Sequence, residues 1–349
     1  MRCVELVVGC NEASDLLPVR SPDILAAYGW RRAFWTVLDE GPVERCLALL
    51  GLRDGEERWD AHVIAADAGD QTGRTEDGEA LAYHDGWVYV IGSHFGSKRG
   101  PLRPRRGFVA RFREADAALA HPVPVQVVRN QFRLHRAVND ALRSLDTLPP
   151  HEVVHHRFIA ETLTRGAARA KGWVERITHG DVPMNIEAAA FTPDGTLLLG
   201  LRFPVTVAGE PIVVAVAGVD AMFTDPPAWP TVVGAYVLAG VTPAGALSGF
   251  RALSARGDGS YDAVIGSIDA TGKESVLLDA HPTGGDVPCR HIRFAVPPST
   301  DPADPAPRIA AEVVAELAPF RNVEGVAESD GLVHYVTDED HRVALWTTT

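Results

Sequence analysis

Asp77-Gly78-Glu79-Ala80-Leu81-Ala82-Tyr83 recurs, altered but recognisable, as Asn185-Ile186-Glu187-Ala188-Ala189-Ala190-Phe191 and as Asn322-Val323-Glu324-Gly325-Val326-Ala327. A looser copy reads Asp23-Ile24-Leu25-Ala26-Ala27-Tyr28. Each copy is followed by a turn and an apolar run: Trp87–Ile91, Thr196–Leu201, Val333–Thr337 and Phe34–Leu38. A phrase that returns at intervals of tens of residues announces a stacked or radial array of one supersecondary unit. Asp-Gly pairs at 85–86, 194–195, 258–259 and 330–331 sit between the two strands of a unit, where a tight hairpin needs positive φ. The third pair reveals a further unit, Gly249–Ala255 followed by Tyr261–Ile268. The unit is therefore a meander of short antiparallel strands.

Other apolar runs of strand length fill the intervals: Ala61–Ala65, Phe108–Phe112, Val123–Val128, Pro211–Val216, Thr231–Leu238 and Val276–Leu278. Arranged radially, such meanders form an all-β propeller, with five blades visible and six if one is disguised near the middle of the chain. Ala80, Ala82, Ala188, Ala190, Gly325 and Ala327 fit the crowding near a propeller axis. The last blade has about three strands of its own, so Val4–Val8 is expected to supply the fourth and close the ring.

Two stretches break the β pattern. Phe132–Leu145 and His155–Ala170 carry apolar residues at helical spacing and form an insertion over residues 131–178. The expectation is one propeller domain over 1–349, with about Phe132–Ala170 of this insertion capping the mouth of the channel where Glu79, Glu187 and Glu324 are expected to gather and helping to shape the pocket there. Pro297–Pro307 reads as a surface loop.

The chain has 349 residues, 46% apolar and 23% charged, with a formal net charge of −13. Such an acidic balance argues against nucleic acid as a partner, which requires a broad basic surface. No run approaches the roughly 20 apolar residues of a membrane helix, and Glu5 interrupts the apolar start, so neither a membrane partner nor a signal peptide is expected. Cys3, Cys10, Cys46 and Cys289 lack metal-type spacing and read as reduced thiols of a cytoplasmic protein.

Ile91-Gly92-Ser93-His94, Asn185-Ile186-Glu187 with Leu199-Gly200-Leu201-Arg202, Gly249-Phe250-Arg251-Ala252-Leu253, and Val323-Glu324-Gly325-Val326 with Thr337-Asp338 carry a family likeness. They resemble a bacterial propeller family of uncharacterised activity, distantly similar to phytase-like, esterase-like propellers. The resemblance spans most of the chain and implies a propeller whose motif residues gather at one mouth of the channel. It transfers no catalytic assignment. The chain departs from it at Glu187-Ala188, where the family has Glu-Gly, and in the helical insertion.

Equivalent positions of a propeller form a ring. Glu79, Glu187 and Glu324 are equivalent, and converging carboxylates call for a divalent cation such as Ca²⁺, or for arginine partners, of which Arg202 and Arg251 are candidates. Bonding to backbone amides of a neighbouring blade is the purely structural alternative. Glu79 to His94 and Glu187 to Arg202 have the same spacing, which places His94 and Arg202 at matching heights; Asp39, Glu40, Ser267 and Asp338 end the other second strands. Acid, imidazole and guanidinium around one opening suit an ester or phosphoester hydrolase acting on a small anionic substrate. A non-catalytic propeller that binds a ligand or a protein partner on the same face is the alternative.

His151-Glu152-Val153-Val154-His155 matches the HExxH zinc-protease pattern, with Glu175 spaced to be a third ligand and His156 and His179 close by. Pro149-Pro150 before it and two β-branched residues within it argue for an exposed helix start instead. The basic run Lys98-Arg99-Gly100-Pro101-Leu102-Arg103-Pro104-Arg105-Arg106 reads as a solvated loop, or as an anion clamp beside the mouth. No GxGxxG, P-loop or GxSxG pattern is present.

Overall fold

The computed structural model describes residues 2–8, 13–38, 41–225, 228–271, 274–297, 308–339 and 342–348. Strands dominate it. Ala13–Pro18, Trp30–Leu38, Leu47–Arg53 and Trp59–Ile64 form one four-stranded antiparallel sheet. Gly78–His84, Trp87–Gly92, Phe108–Arg113 and Gln126–Arg129 form a second. Asn185–Phe191, Leu197–Phe203, Ile212–Ala217 and Thr231–Ala239 follow in the same meander order. Thr231–Ala239 then pairs in parallel with Arg308–Glu316, the outer member of the meander Ser248–Ala255, Tyr261–Ser267 and Arg290–Phe294, so these two groups share one eight-stranded sheet. In the last sheet Val323–Ser329, Leu332–Glu339 and Arg342–Thr348 are completed by Arg2–Leu6, with Arg2 opposite Thr347 and Leu6 opposite Val343. A two-residue parallel pair, Ala66–Asp67 with Val123–Pro124, sits apart.

The first strands of these groups, Ala13–Pro18, Gly78–His84, Asn185–Phe191, Ser248–Ala255 and Val323–Ser329, each touch the next in chain order, and the last touches the first. The fold is therefore all-β and propeller-like. Ala80, Ala82, Ala188, Ala190 and Ala327 are buried along these strands, as the crowding at an axis requires. Asp85-Gly86 and Asp330-Gly331 both have positive φ at both residues, the backbone that a two-residue hairpin demands.

Two expected elements differ. Asp23–Tyr28 is not a first strand but part of the helix Pro22–Tyr28, which starts with proline in its first turn and ends on Gly29 in the left-handed region. Val276–Leu278 lies in the short helix Val276–Ala280, whose N-cap Ser275 accepts from the Leu278 amide. The loop expected at 297–307 falls, beyond Pro297, outside the described residues.

The middle of the chain is helical: Arg133–Leu142, then Glu152–Val154 running through a π-type stretch His155–Ala160 into Glu161–Ala168, then a 3₁₀ turn Gly172–Arg176. Leu134, Val138 and Leu142 pack with Val109, Met184 and Ile186, while Val154, Phe158 and Ile159 pack with Phe95, Phe203 and Ile268 at the ends of second strands. These helices are thus parts of two cores. Among the described residues no helix is long and apolar enough to cross a membrane.

Candidate functional site

Each first strand carries a β-bulge at the same height. The ladder slips at Asp15-Leu16, Glu79, Glu187, Arg251 and Glu324. A bulge re-aims the side chain that is left unpaired, and here every sheet places a charged residue at it. Glu79, Glu187 and Glu324 line one cavity of about 490 Å³, together with Asp77, Asn185, Arg202 and Asp269 and the Lys98, Arg99, Arg103 and Arg106 side of the basic loop. The shared opening expected of the three glutamates is present.

Glu187 and Glu324 pair with arginine. Glu187 meets Arg202, Oε1 to Nη1 at 3.0 Å, and Arg202 also donates from Nε to the Ser267 carbonyl at 3.1 Å. Glu324 pairs with Arg251, which occupies the bulge of the neighbouring sheet. These are the arginine partners that the repeat offered for the two carboxylates; among the described residues no three acidic, histidine or cysteine side chains are grouped to hold a metal ion. Burial by itself would lower the pKa of Arg202, but Glu187, Asp269 and Glu79 outweigh it and hold the guanidinium charged. Its Nη2 is buried with no hydrogen-bond partner, and so is Oε2 of Glu324. Buried polar atoms left unpaired are expensive, and these two lie on cavity-lining residues, where a ligand can satisfy them.

Asp77 is the residue that sequence reasoning passed over. It opens the repeated phrase, two positions before Glu79, where the other copies have Asn185 and Asn322. In the third sheet the equivalent amide donates from Asn185 Nδ2 to Glu187 Oε1 at 2.8 Å. In the second sheet the same place brings the carboxyl of Asp77 into hydrogen-bond contact with that of Glu79. Two carboxyls in such contact need a proton between them. Burial, with the charge of Glu187, raises the pKa of Asp77 against the opposing pull of Arg106, Ser93 and Glu79. Arg106 Nη1 lies 2.7 Å from Asp77 Oδ2, and the Ser93 hydroxyl donates to the same oxygen. The signal was available: one copy of the phrase has an acid where its equivalents have an amide.

His94 does not join the cavity. It takes positive φ, φ 58°, and turns its ring away: Nδ1 meets the Gly92 carbonyl at 2.7 Å and Nε2 meets the Asn130 amide. Burial lowers its pKa to about 4. Equal spacing did not mean equal height: Ala80 stands opposite Ile91 but Ala188 stands opposite Gly200, so the hairpin of the third sheet is one residue longer and Arg202 is level with Ser93, not with His94. The side chain of Asp338, and residues Asp39 and Glu40, lie outside the described residues.

The HExxH arrangement is not formed. His151 is the N-cap of its helix, with extended backbone, and its Nδ1 accepts from the Val153 amide at 3.3 Å. His155 Nε2 meets the His179 carbonyl at 2.7 Å, and Glu175 is exposed on the 3₁₀ turn. The two imidazoles are engaged separately because the first lies before the helix instead of one turn along it. No residue of 131–178 lines the central cavity; the helical segment instead forms a wall of a neighbouring one.

No protein-family model matches the chain, and no curated protein matches it in sequence. Among solved structures it is similar to a mannose phosphorylase from Leishmania mexicana in complex with phosphate ion, at 12% identity and TM-score 0.42 over 99% of this chain and 87% of that one. It is similar to an exo-1,5-alpha-L-arabinanase from a bovine ruminal metagenomic library, at 8% identity and TM-score 0.40 over 98% and 95%. A luciferin-regenerating enzyme is likewise similar, at 8% identity and TM-score 0.36 over 100% and 96%.

Proposed function

We propose that the chain is a five-bladed propeller hydrolase that cleaves an ester or phosphoester of a small anionic substrate in the central cavity. The observation that carries this reading is the Asp77–Glu79 carboxyl pair facing the half-satisfied guanidinium of Arg202 in one cavity. A pair that holds one proton offers an acid and a base together. One carboxylate takes a proton from the attacking water, and the pair's own proton goes to the leaving oxygen. The bond from carbonyl carbon or phosphorus to that oxygen breaks as the bond to water's oxygen forms, and the pair ends in its starting protonation state. Arg202 Nη2 holds the anionic group or the developing oxyanion. The five bulges with one charged side chain each support five as the blade number. The esterase-like character implied by the phytase-like resemblance agrees with this chemistry.

The test is turnover of p-nitrophenyl acetate, p-nitrophenyl butyrate and p-nitrophenyl phosphate by the purified protein and by Asp77→Asn. Asparagine is what the two other copies carry, so the variant is expected to fold. Loss of about 10²–10⁴ in kcat is expected of a lost general acid or base. Turnover unchanged by Asp77→Asn sinks the acid–base assignment. No turnover of any of these substrates sinks the hydrolase reading and leaves the cavity as a non-catalytic ligand site.

A further inference from the structure

Beside the central cavity lies a larger one, about 690 Å³, which shares Ser97 and Arg103 with it. Its character is opposite. Arg103, Arg129, Arg165, Arg169 and Lys171 line it, and no aspartate or glutamate does. In a chain of net charge −13 that is a local reversal of sign. Two of the five have carboxylate partners: Arg103 with Glu76, and Arg165 with Glu161 at 3.2 Å. Arg129 donates from Nε to the amide oxygen of Gln71, at 3.0 Å, and makes no ion pair among the described residues. Burial and the nearby charges of Arg74 and Arg105 lower its pKa, the signature of a cation among cations. Arg169 and Lys171 make no ion pair among the described residues.

The cavity is built, not incidental. Its loop wall is fixed to its helix wall: the Leu102 amide donates to the Thr162 hydroxyl at 3.0 Å, and Phe95 stacks on Phe158 at 4.6 Å between centroids. Gly100 has φ +71, and a Cβ there would lie 2.4 Å from the Arg157 carbonyl, so the loop could not sit as closely with any other residue. Trp173 adds a half-buried aromatic face, braced by Phe132 at 4.8 Å. The volume is that of a small-molecule site. Guanidinium forks suit the oxygens of a phosphoryl group, and an aromatic wall suits the apolar face of what carries it.

We propose that this second cavity binds a small organic phosphate, with the phosphoryl group among Arg129, Arg169 and Lys171 and its carrier against Trp173. Occupancy of this cavity is separate from turnover in the central one, so binding and hydrolysis can fail independently. A recessed pocket with five cations does not make the broad basic surface that a nucleic acid needs.

Isothermal titration at constant ionic strength tests it, with glucose 6-phosphate, ribose 5-phosphate and AMP as probes, and glucose and inorganic phosphate as controls. At least one organic phosphate is expected to bind well above the response to either control. Arg169→Gln/Lys171→Gln, both exposed and so compatible with folding, is expected to weaken that binding about tenfold or more, as is Arg129→Gln, while Asp77→Asn binds like the wild type. The proposal is overturned if none of the three phosphates exceeds the controls. It is equally overturned if the double variant binds like the wild type, or if Asp77→Asn alone abolishes binding, which would place the anion in the central cavity.

Discussion

The two adjoining cavities are made in opposite ways. The central one draws its acids from the repeat: the bulge glutamates of three sheets, with Glu187 matched by an arginine of its own sheet and Glu324 by one of the neighbouring sheet. The lateral one is made mostly by what the repeat does not contain, the 97–104 loop and the helical segment, and five cations but no aspartate or glutamate line it. Symmetry thus supplies acids and arginines in pairs, and a single broken position, Asp77 in place of asparagine, supplies the extra acid on which the proposed hydrolysis rests. The non-repeated segment supplies charge of one sign. The comparison predicts different sensitivities on the two sides.

The largest effect is expected from deleting residues 133–168. Phe158, Ile159 and Val138 are fully buried in two cores, and truncating one such phenylalanine alone removes about 3–5 kcal/mol. Circular dichroism and thermal melts should show loss of cooperative folding. A folded, cooperatively melting deletion variant would show that the helices are a lid laid on a finished ring.

Next in size is Asp77→Asn, for which kcat should fall by about 10²–10⁴ with the melting temperature held or raised, since a buried acid is replaced by a neutral amide. Arg202→Lys should act less strongly. It keeps a charge for Glu187 but loses the free Nη2 and the Ser267 contact, and hydrogen bonds to charged groups are worth about 1.5–3 kcal/mol, or roughly ten- to 150-fold in kcat/KM. If Arg202→Lys and Glu187→Gln both turn over substrate like the wild type, the central cavity is not the active site.

The smallest effect, per pH unit, concerns the first bulge. Asp15 takes φ 61° and accepts from the Leu16 and Leu81 amides at 2.7 and 2.6 Å, yet burial raises its pKa from 3.8 to about 7. A raised folded-state pKa means that the folded protein binds the proton more tightly. The stabilisation is fully present below about pH 3.8 and is lost as pH rises through about 7, at a limiting slope of roughly 1.4 kcal/mol per unit. Urea melts of wild type and Asp15→Asn across pH 4 to 8 should diverge by that slope; parallel curves would show that Asp15 titrates normally.

What the sequence disclosed follows the same division. Three first strands were legible because Glu and small residues recur in them, and a fourth because its Asp258-Gly259 turn did. The first strand, Ala13–Pro18, was not: a two-residue bulge and a terminal proline disrupt its alternation, while the helix Pro22–Tyr28 imitates the phrase over six residues. Ser21-Pro22 and Gly29 were the helix signals that should have outweighed it. Glu187 and Glu324 could be placed at one opening, but that Arg202 of the same sheet meets Glu187 and Arg251 of the neighbouring sheet meets Glu324 depended on side-chain geometry, which spacing alone does not report. His94 shows the limit of counting: the hairpin after Phe191 is one residue longer than the one after Tyr83, so equal spacing from the glutamate put His94 one position beyond the level of Arg202.

One seam of the ring differs from the rest. Where Thr231–Ala239 runs beside Arg308–Glu316, a parallel ladder of three residue pairs joins two sheets at their outer edges; between the first and second sheets the shorter parallel pair Ala66–Asp67 with Val123–Pro124 makes a lesser join. Mechanically, the third and fourth sheets are tied at their rims by the longer ladder and the first and second by the shorter one, so Arg202 and Glu187 stand on one laced pair of leaves and Asp77 and Glu79 on another.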